Sequence, residues 1–260
     1  MREYRRCKVL KPWLRFFRVV NLPTVPGDVL VGAAAVAAGA STCGAAFSLP
    51  GAAVSAAALS SVFLYMFGLA DNDIVGAKTD VNRPIPSGEI TLAAARLARA
   101  LCLVLAFAPL ATGAASWPTF AAAATVAGAS IAYNRTKSCF LMGLCRGMNV
   151  LLGAVASCAG VGDGAVASAP FQVWGVAVAA AAVWTAYIAA VTRYSEGEER
   201  DESLKFRVGV LIGAIVYLQL LALVVFALFC PAVKPLLVAG AVLLVALRLA
   251  KTAFPSVGAS

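Results

Sequence analysis

The sequence contains no histidine, and its cysteines show no regular spacing. Without histidine, both imidazole acid–base catalysis and metal binding by imidazole are excluded. The seven cysteines form no CxxC pair and lie mostly in apolar stretches. This pattern is typical of packing inside a membrane protein rather than of metal binding or redox chemistry. Any metal ion must therefore be held by oxygen ligands.

Charge is scarce as well. Charged residues make up 13% of the 260 residues and hydrophobic residues 62%, whereas a soluble domain is about one quarter charged and about half apolar. This composition excludes an ordinary soluble enzyme, a disordered protein and a disulfide-stapled secreted domain. Four stretches contain no Asp, Glu, Lys or Arg: residues 29–70, 100–134, 164–192 and 208–233. Since a bilayer span needs about 20 mostly apolar residues, an all-α polytopic membrane protein is predicted.

Eight transmembrane helices are predicted from these stretches and from the Gly, Pro, Ser and charged residues that separate them. They run near residues 17–40, 50–70, 91–114, 117–133, 141–160, 171–192, 208–229 and 235–252. Because Pro26, Gly27 and Asp28 lie inside the first span, we expect a kinked helix whose polar face is turned into the bundle. A single domain over residues 1–260 is expected, with 1–16 as a basic cytoplasmic segment that is retained rather than cleaved.

The distribution of basic residues predicts the orientation. With eight spans, both termini lie on the same side as the connections 71–90, 134–140 and 193–207. That side then carries every Lys and Arg except Lys234. We therefore expect a multi-pass protein of the bacterial inner membrane with these three connections at the cytoplasmic face. The net charge of +9 follows the same distribution, so it indicates contact with the lipid bilayer and not with nucleic acid.

Acidic residues cluster directly after the second predicted span, in Asp71-Asn72-Asp73 and at Asp80. If that helix continues, Asp73 and Asp80 lie on nearly one face and about 10 Å apart along its axis. This separation is too long for one shared ion, but it suits two carboxylates that hold a diphosphate through Mg²⁺. Arg83 follows in a proline-rich turn and offers a guanidinium group to phosphate. The alternative is a solvated loop that caps a helix.

A second acidic cluster occupies residues 196–202, after the sixth predicted span. Acidic residues at the negatively charged cytoplasmic surface repel one another unless a cation binds them. Because this connection lies on the same side as Asp73, it is predicted to form a second metal-binding edge. A solvated surface loop is the alternative.

Tyr133 and Lys137 are four residues apart and would share a helix face. A phenol and an ammonium group placed side by side can bind a phosphate or a developing oxyanion. The alternative is an interfacial tyrosine beside a lysine that extends to the headgroups.

Four polar residues fall inside predicted spans. Arg146 and Asn149 would share one face of an otherwise apolar helix, and inward-facing polar residues in a membrane span are usually functional. Asn21 and Asp28 lie on the first span, where they either close the rim of a cavity or cap a kink.

Together these features resemble the UbiA superfamily of membrane prenyltransferases. That family has an Asn-Asp-x-x-Asp-x-x-x-Asp motif followed by an Arg-Pro-Ile-Pro-Ser-Gly-like segment. Asn72, Asp73 and Asp80 match three positions of the motif, and residues 83–88 match the segment.

Other parts of the chain support the resemblance by their order and side. The family's Tyr-x-x-x-Lys element matches Tyr133 and Lys137, and its second acidic motif corresponds in place to residues 196–202. Residues 21–24 and 143–149 look most similar to the EboC-like branch of the superfamily.

The resemblance implies a bundle of helices around a central cavity. It implies transfer of an isoprenyl group from its diphosphate to an aromatic or other lipophilic acceptor, with Mg²⁺ as cofactor. The metal would be held by Asp73, Asp80, Glu198, Asp201 and Glu202. The residues expected to act in catalysis are Asp73, Asp80, Tyr133 and Lys137. The residues expected to bind substrate are Asn21, Asn72, Arg83, Lys137, Arg146 and Asn149.

Three features depart from the family. Gly76 occupies the position of the first motif's middle acid, and eight spans are predicted instead of nine. The second cluster has no Asp-x-x-x-Asp motif: its nearest spacing is Glu198-x-x-x-Glu202, with Glu196 and Asp201 as other candidates. These departures leave open a non-catalytic carrier of a prenylated or lipidic molecule on the same scaffold. A CDP-alcohol phosphotransferase is disfavoured, because the Asp-Gly-x-x-Ala-Arg pattern of that family is absent.

Overall fold

The structure is a computed structural model that describes residues 10–78, 80, 83–112, 116–158, 170–196 and 201–254. Within these ranges the regular elements are helices. The eight long ones are α1 (Pro26–Thr42), α2 (Gly51–Val75), α3 (Leu92–Phe107), α4 (Trp117–Thr136), α5 (Cys139–Ser157), α6 (Pro170–Tyr194), α7 (Glu202–Phe229) and α8 (Lys234–Ala253). Each corresponds to one predicted span, so the all-helical bundle is confirmed.

Shorter helical elements connect or precede the long helices. A short helix covers residues 10–16. A two-turn 3₁₀ segment covers Val19–Thr24, and single 3₁₀ turns lie at Gly76–Lys78, Leu110–Thr112 and Pro231–Val233.

Seven helices in the described part of the chain are long and apolar enough to cross a bilayer. The long helix that falls short is α4, which is rich in Ala, Gly, Ser and Thr and has few large aliphatic residues. The length and apolar character of the other seven make the chain an integral, multi-pass membrane protein.

The first span is not one continuous α-helix. Residues 19–24 form a 3₁₀ turn, and α1 begins only at Pro26. Pro23 and Pro26 both lack a backbone N–H, so a continuous α-helix through this segment would lose two of its hydrogen bonds, whereas a proline in the first turn of a helix costs nothing. The expectation of an inward polar face is confirmed, because Asp28 in the first turn of α1 is fully buried.

Helix α1 lies in the middle of the bundle. Fourteen of its 17 residues are buried, and it packs against α2, α5, α6 and α7. An added Cβ on Gly32 would lie 1.8 Å from the Val150 carbonyl oxygen of α5, and one on Gly153 would lie 2.0 Å from the Val29 carbonyl oxygen. Small residues at both positions therefore allow α1 and α5 to touch backbone to backbone, as close-packed membrane helices do.

Replacing Gly153 with valine is expected to destabilise the bundle by about 3 kcal/mol, because the new side chain overlaps backbone atoms that cannot move aside. Gly128→Ala on α4 is the matched control, since an added Cβ there meets nothing within 4 Å. The control is expected to be neutral or slightly stabilising. Unfolding of both variants by SDS titration in a mild detergent measures the difference, and equal stability would contradict the close contact.

Candidate active site

The last turn of α2 carries three consecutive buried polar residues, Asp71, Asn72 and Asp73. Asp71 is held by its neighbours in the bundle. Arg99 Nη1 on α3 donates a hydrogen bond to Oδ1 at 2.8 Å, and Asn134 Nδ2 on α4 donates to Oδ2 at 2.9 Å. Because both carboxylate oxygens are used in this way, Asp71 joins three helices and has a structural role.

Asp73 and Asp80 both pair with Arg83. Arg83 Nη1 donates to Asp73 Oδ1 at 2.8 Å, and Arg83 Nε lies 3.9 Å from Asp80 Oδ2. Helix α2 does not continue to Asp80, because it ends at Val75 and a 3₁₀ turn, Gly76–Lys78, follows. The two carboxylates therefore converge on one guanidinium group instead of lying about 10 Å apart along a helix.

Gly76 provides the space for this return of the chain. A Cβ on Gly76 would lie 2.7 Å from Asp80 Oδ2. The Asp80 carboxylate thus fills the space into which a side chain at position 76 would project.

The proline-rich segment that carries Arg83 is a compact turn. The N–H of Ser87 donates to the Arg83 carbonyl oxygen at 3.1 Å, and the N–H of Ile90 donates to the Pro84 carbonyl oxygen at 3.0 Å. Gly88 closes the turn at φ +75°, a left-handed conformation that glycine adopts without strain. These contacts fix the backbone of Arg83 and so limit where its guanidinium group can lie.

Lys137 reaches the same region from the end of α4. The helix ends at Thr136, and Lys137 follows it in a left-handed conformation at φ +55°. Its ammonium group donates to Asn72 Oδ1 and lies 5.7 Å from the centroid of the Tyr133 ring. Lys137 is therefore one residue beyond the helix and not on it, but the structure brings the predicted Tyr133–Lys137 pair together.

Arg18 and Tyr65 also belong to this region, although neither was singled out from the sequence. Arg18 interacts electrostatically with Arg83, Asp73, and the phenol groups of Tyr65 and Tyr133. In the sequence Arg18 is one of many basic residues near the N-terminus. Its backbone is left-handed, with φ +42°, but no glycine at this position signals that conformation.

Sequence signals for both residues exist, but they are weak. Arg18 lies at the start of the first predicted span and is the last basic residue before Lys78. Tyr65 is seven residues before Asn72, so the two share one face of α2.

The three positive side chains Arg18, Arg83 and Lys137, here called the cationic cluster, outnumber the two carboxylates of Asp73 and Asp80. Burial lowers the pKa of Lys137, and the charges of Arg83 and Arg18 lower it further while Asp80 and Asp73 oppose the shift. Like charges held this close favour the binding of an anion, which removes their mutual repulsion.

The second acidic segment, which is the acidic cluster predicted at residues 196–202, begins at the same end of the bundle. At the start of α5 the thiol of Cys139 donates to Glu196 Oε1 at 3.2 Å, and Arg193 donates to Glu196 Oε2 at 2.7 Å. Asp201 caps α7 by accepting the N–H of Ser203 at 2.8 Å. This hydrogen bonding lowers the pKa of Asp201. The described acids of this segment are thus engaged in local contacts.

The predicted metal ligands are only partly brought together. Within the described ranges, no three Asp, Glu or Cys side chains meet in a possible metal site. Glu198 and the side chain of Glu202 lie outside the described part of the chain. Asp73 and Asp80 provide two carboxylates on one cationic group, which fits a hard divalent ion that takes one or two carboxylates and completes its shell with phosphate oxygens and water.

The other predicted substrate-binding residues, Arg146, Asn149 and Asn21, lie near Asp28. Arg146 Nε is 2.8 Å from Asp28 Oδ2, and Arg146 Nη2 donates to the Thr24 carbonyl oxygen at 2.7 Å. Asn149 is buried on α5, three residues after Arg146. Asn21 is buried in the 3₁₀ turn before α1. The predicted substrate-binding residues therefore fall into two groups. One group contains Asn72, Arg83 and Lys137, and the other three residues lie in or beside the group around Asp28.

The fold is similar to that of solved membrane prenyltransferases. It matches a structure of digeranylgeranylglyceryl phosphate synthase in membranes with a TM-score of 0.55 and 17% identity, over 96% of this chain and 94% of that one. It matches a UbiA homolog from Archaeoglobus fulgidus bound to DMAPP and Mg²⁺ with a TM-score of 0.50 and 18% identity, over 94% and 87%. At these identities the likeness concerns the fold, so the UbiA-like bundle is confirmed and the EboC-like branch stays a prediction.

No protein-family model matches the chain, and no curated protein matches it in sequence.

Asp71 and Asp73 are expected to differ sharply when each is replaced by alanine. Asp71→Ala should lower the free energy of unfolding by about 2 kcal/mol, because it leaves the buried Asn134 amide and Arg99 without their acceptor. Asp73→Ala should cost about 1 kcal/mol or less, since its partner Arg83 is partly exposed and can turn to water.

SDS-induced unfolding of the two variants measures these losses. The control is Glu89→Ala, which removes the exposed ion pair of Glu89 with Arg15. A larger loss for Asp73→Ala than for Asp71→Ala would contradict the structural role of Asp71.

Proposed function

We propose that the protein transfers an isoprenyl group from its diphosphate to an aromatic or other lipophilic acceptor in the membrane, with Mg²⁺ as cofactor. The observation that carries this proposal is the convergence of the cationic cluster with Asp73 and Asp80 at one end of a membrane-embedded helical bundle. The similar fold of solved prenyltransferases supports it.

The charge of the site favours a diphosphate over a neutral ligand. A diphosphate carries several negative charges and can be contacted by Arg18, Arg83 and Lys137 at once. Each arginine offers a planar fork that suits phosphate oxygens, and the lysine offers a point charge. Asn72, whose amide lies beside Lys137, would complete the contacts on that side.

Asp73 and Asp80 are the residues that would hold the metal ion, together with acids of the second acidic segment. When bound, Mg²⁺ would neutralise charge on the diphosphate and so make it a better leaving group. The Arg83 guanidinium now paired with both carboxylates would be released from them and would face the phosphates.

The same residues can support bond cleavage. Negative charge grows on the diphosphate as the bond to the isoprenyl carbon breaks, and preorganised positive groups stabilise that charge. The Lys137 ammonium lies over the Tyr133 ring, and in the proposed mechanism both side chains donate to a departing phosphate oxygen. An electron-rich acceptor then attacks the allylic carbon, and no covalent nucleophile on the protein is needed.

The surroundings fit an isoprenoid chain. The helices that lead away from the site are apolar, so the tail can lie among them or against lipid. The distribution of basic residues supports a cytoplasmic position for the site and for the segment 1–16. The partners proposed are thus an isoprenyl diphosphate, a lipophilic acceptor and the lipid bilayer, without nucleic acid.

One observation favours the alternative of a non-catalytic carrier of a prenylated or lipidic molecule. Arg83 already pairs with both Asp73 and Asp80, and Gly76 supplies no third carboxylate. A site that had lost its metal could keep this arrangement.

A turnover experiment separates the two functions. The purified protein is incubated with radiolabelled isoprenyl diphosphates of graded chain length and a membrane extract, with Mg²⁺ or with EDTA. We expect a lipid-soluble labelled product only with Mg²⁺ and its loss in Asp73→Asn. Tight binding of the label without any product, unchanged by EDTA, would favour the carrier.

The lowered pKa of Lys137 predicts how diphosphate binding depends on pH. The anion binds the protonated lysine, so affinity is full below the pKa of Lys137 and falls as pH rises through it. Because this pKa lies below the ordinary lysine value, the fall should begin at a lower pH than an exposed lysine would give.

Calorimetry of Mg²⁺–pyrophosphate binding to the wild type and to Lys137→Arg tests this prediction. Arginine stays protonated, so the variant should keep its affinity to higher pH. Titration of the ligand itself is common to both proteins and cancels in the comparison. Identical pH profiles would contradict a direct contact between Lys137 and the anion.

A further inference from the structure

A second group of buried polar side chains lies outside the cationic cluster, and the proposed transfer does not use this group. At its centre the fully buried Asp28 of α1 accepts hydrogen bonds at Oδ1 from Trp184 Nε1 of α6 at 2.8 Å and from Gln219 Nε2 of α7 at 2.7 Å. Its Oδ2 lies 2.8 Å from Arg146 Nε of α5. We call these four residues the Asp28 cluster.

The carbonyl oxygen of Thr24 joins this cluster to the broken first span. In a continuous α-helix it would accept the N–H of Asp28, but that N–H donates to the Val25 carbonyl oxygen at 3.2 Å. Arg146 Nη2 and Gln219 Nε2 instead both donate to the Thr24 carbonyl oxygen, each at 2.7 Å. Two buried side chains from other helices thus fix the point at which the span breaks.

From Thr24 the 3₁₀ turn leads directly to Arg18. The Thr24 hydroxyl donates to the Asn21 carbonyl oxygen at 2.8 Å, and the N–H of Asn21 donates to the Arg18 carbonyl oxygen at 2.8 Å. Arg18 itself has a left-handed backbone, which persists only where the surrounding structure holds it. The direction of its side chain therefore depends on how this turn is anchored.

We propose that Gln219 and Arg146, anchored by Asp28, are positioning residues for Arg18: they hold the 3₁₀ turn so that its guanidinium group faces the diphosphate. This inference rests on the proposed function. It gives Arg146, which the sequence placed among the substrate-binding residues, an indirect role. Each of the two residues bridges Asp28 and Thr24, so neither can shift without moving the turn.

The first test is the substitution Gln219→Leu, which removes one donor from Thr24 and leaves the Asp28–Arg146 ion pair in place. Binding of inorganic pyrophosphate with Mg²⁺ to the full-length protein in detergent is the measurement. We expect the dissociation constant to rise about fivefold, the size of a coupling between linked residues. In an Arg18→Gln background the same substitution should produce no further change.

Arg146→Lys is a second variant that tests the same link from α5. It keeps a positive charge opposite Asp28 but cannot reproduce the planar guanidinium group that contacts Asp28 and Thr24 at once. It too should weaken pyrophosphate binding in the wild-type background and not in Arg18→Gln.

The matched control is Trp184→Phe. This change removes a hydrogen bond to the same Asp28 oxygen but leaves both donors on Thr24 in place. Pyrophosphate affinity should then stay within about twofold of the wild type even if the unfolding midpoint falls, because weak coupling is expected where no shared contact is lost.

The outcomes separate this inference from the proposed function. Equal weakening by Gln219→Leu in both backgrounds, or an equal effect of Trp184→Phe, would overturn the positioning role and indicate general loosening of the bundle. If Arg18→Gln alone leaves affinity unchanged, the inference fails while the diphosphate site stands. If the wild type does not bind Mg²⁺–pyrophosphate, the diphosphate site itself is overturned, and the inference falls with it.

Discussion

A single carboxylate buried in the middle of a membrane bundle constrains the rest of this structure. An unpaired charge in that position costs several kcal/mol, so neighbouring helices must supply partners for Asp28. Arg146, Trp184 and Gln219 come from α5, α6 and α7 and do so. Their convergence fixes α1 in the centre, and the small residues of α1 and α5 then allow the backbones to meet.

Charge balance distinguishes the two polar groups of the molecule. In the Asp28 cluster one carboxylate faces one guanidinium group, so the group is neutral and suits a structural role. In the cationic cluster three positive side chains face two carboxylates, and the excess calls for an anion. The 3₁₀ turn between residues 19 and 24 connects the two, because its last carbonyl lies in one group and Arg18 lies in the other.

The sequence was sufficient to predict the eight long helices, although α4 lacks the apolar character of a membrane span, and much of the first acidic motif. Long uncharged stretches predict membrane helices. Asp73, Arg83 and Lys137 are charged residues near the ends of these stretches, so the sequence alone identifies them as candidates. What it could not reveal were contacts made across the fold. Arg146 pairs with Asp28, 118 residues earlier, and no local pattern encodes that pairing. The left-handed backbone of Arg18 and the return of Asp80 towards Arg83 also depend on turns whose geometry arises from packing.

The most direct test of the account is a structure of the protein with Mg²⁺ and a non-hydrolysable isoprenyl diphosphate analogue. The account predicts the diphosphate within hydrogen-bonding distance of Arg18, Arg83 and Lys137, with the metal on Asp73 and Asp80 and with Arg83 no longer paired to them. A diphosphate bound elsewhere, or an Arg83 that still bridges both carboxylates without metal, would contradict it.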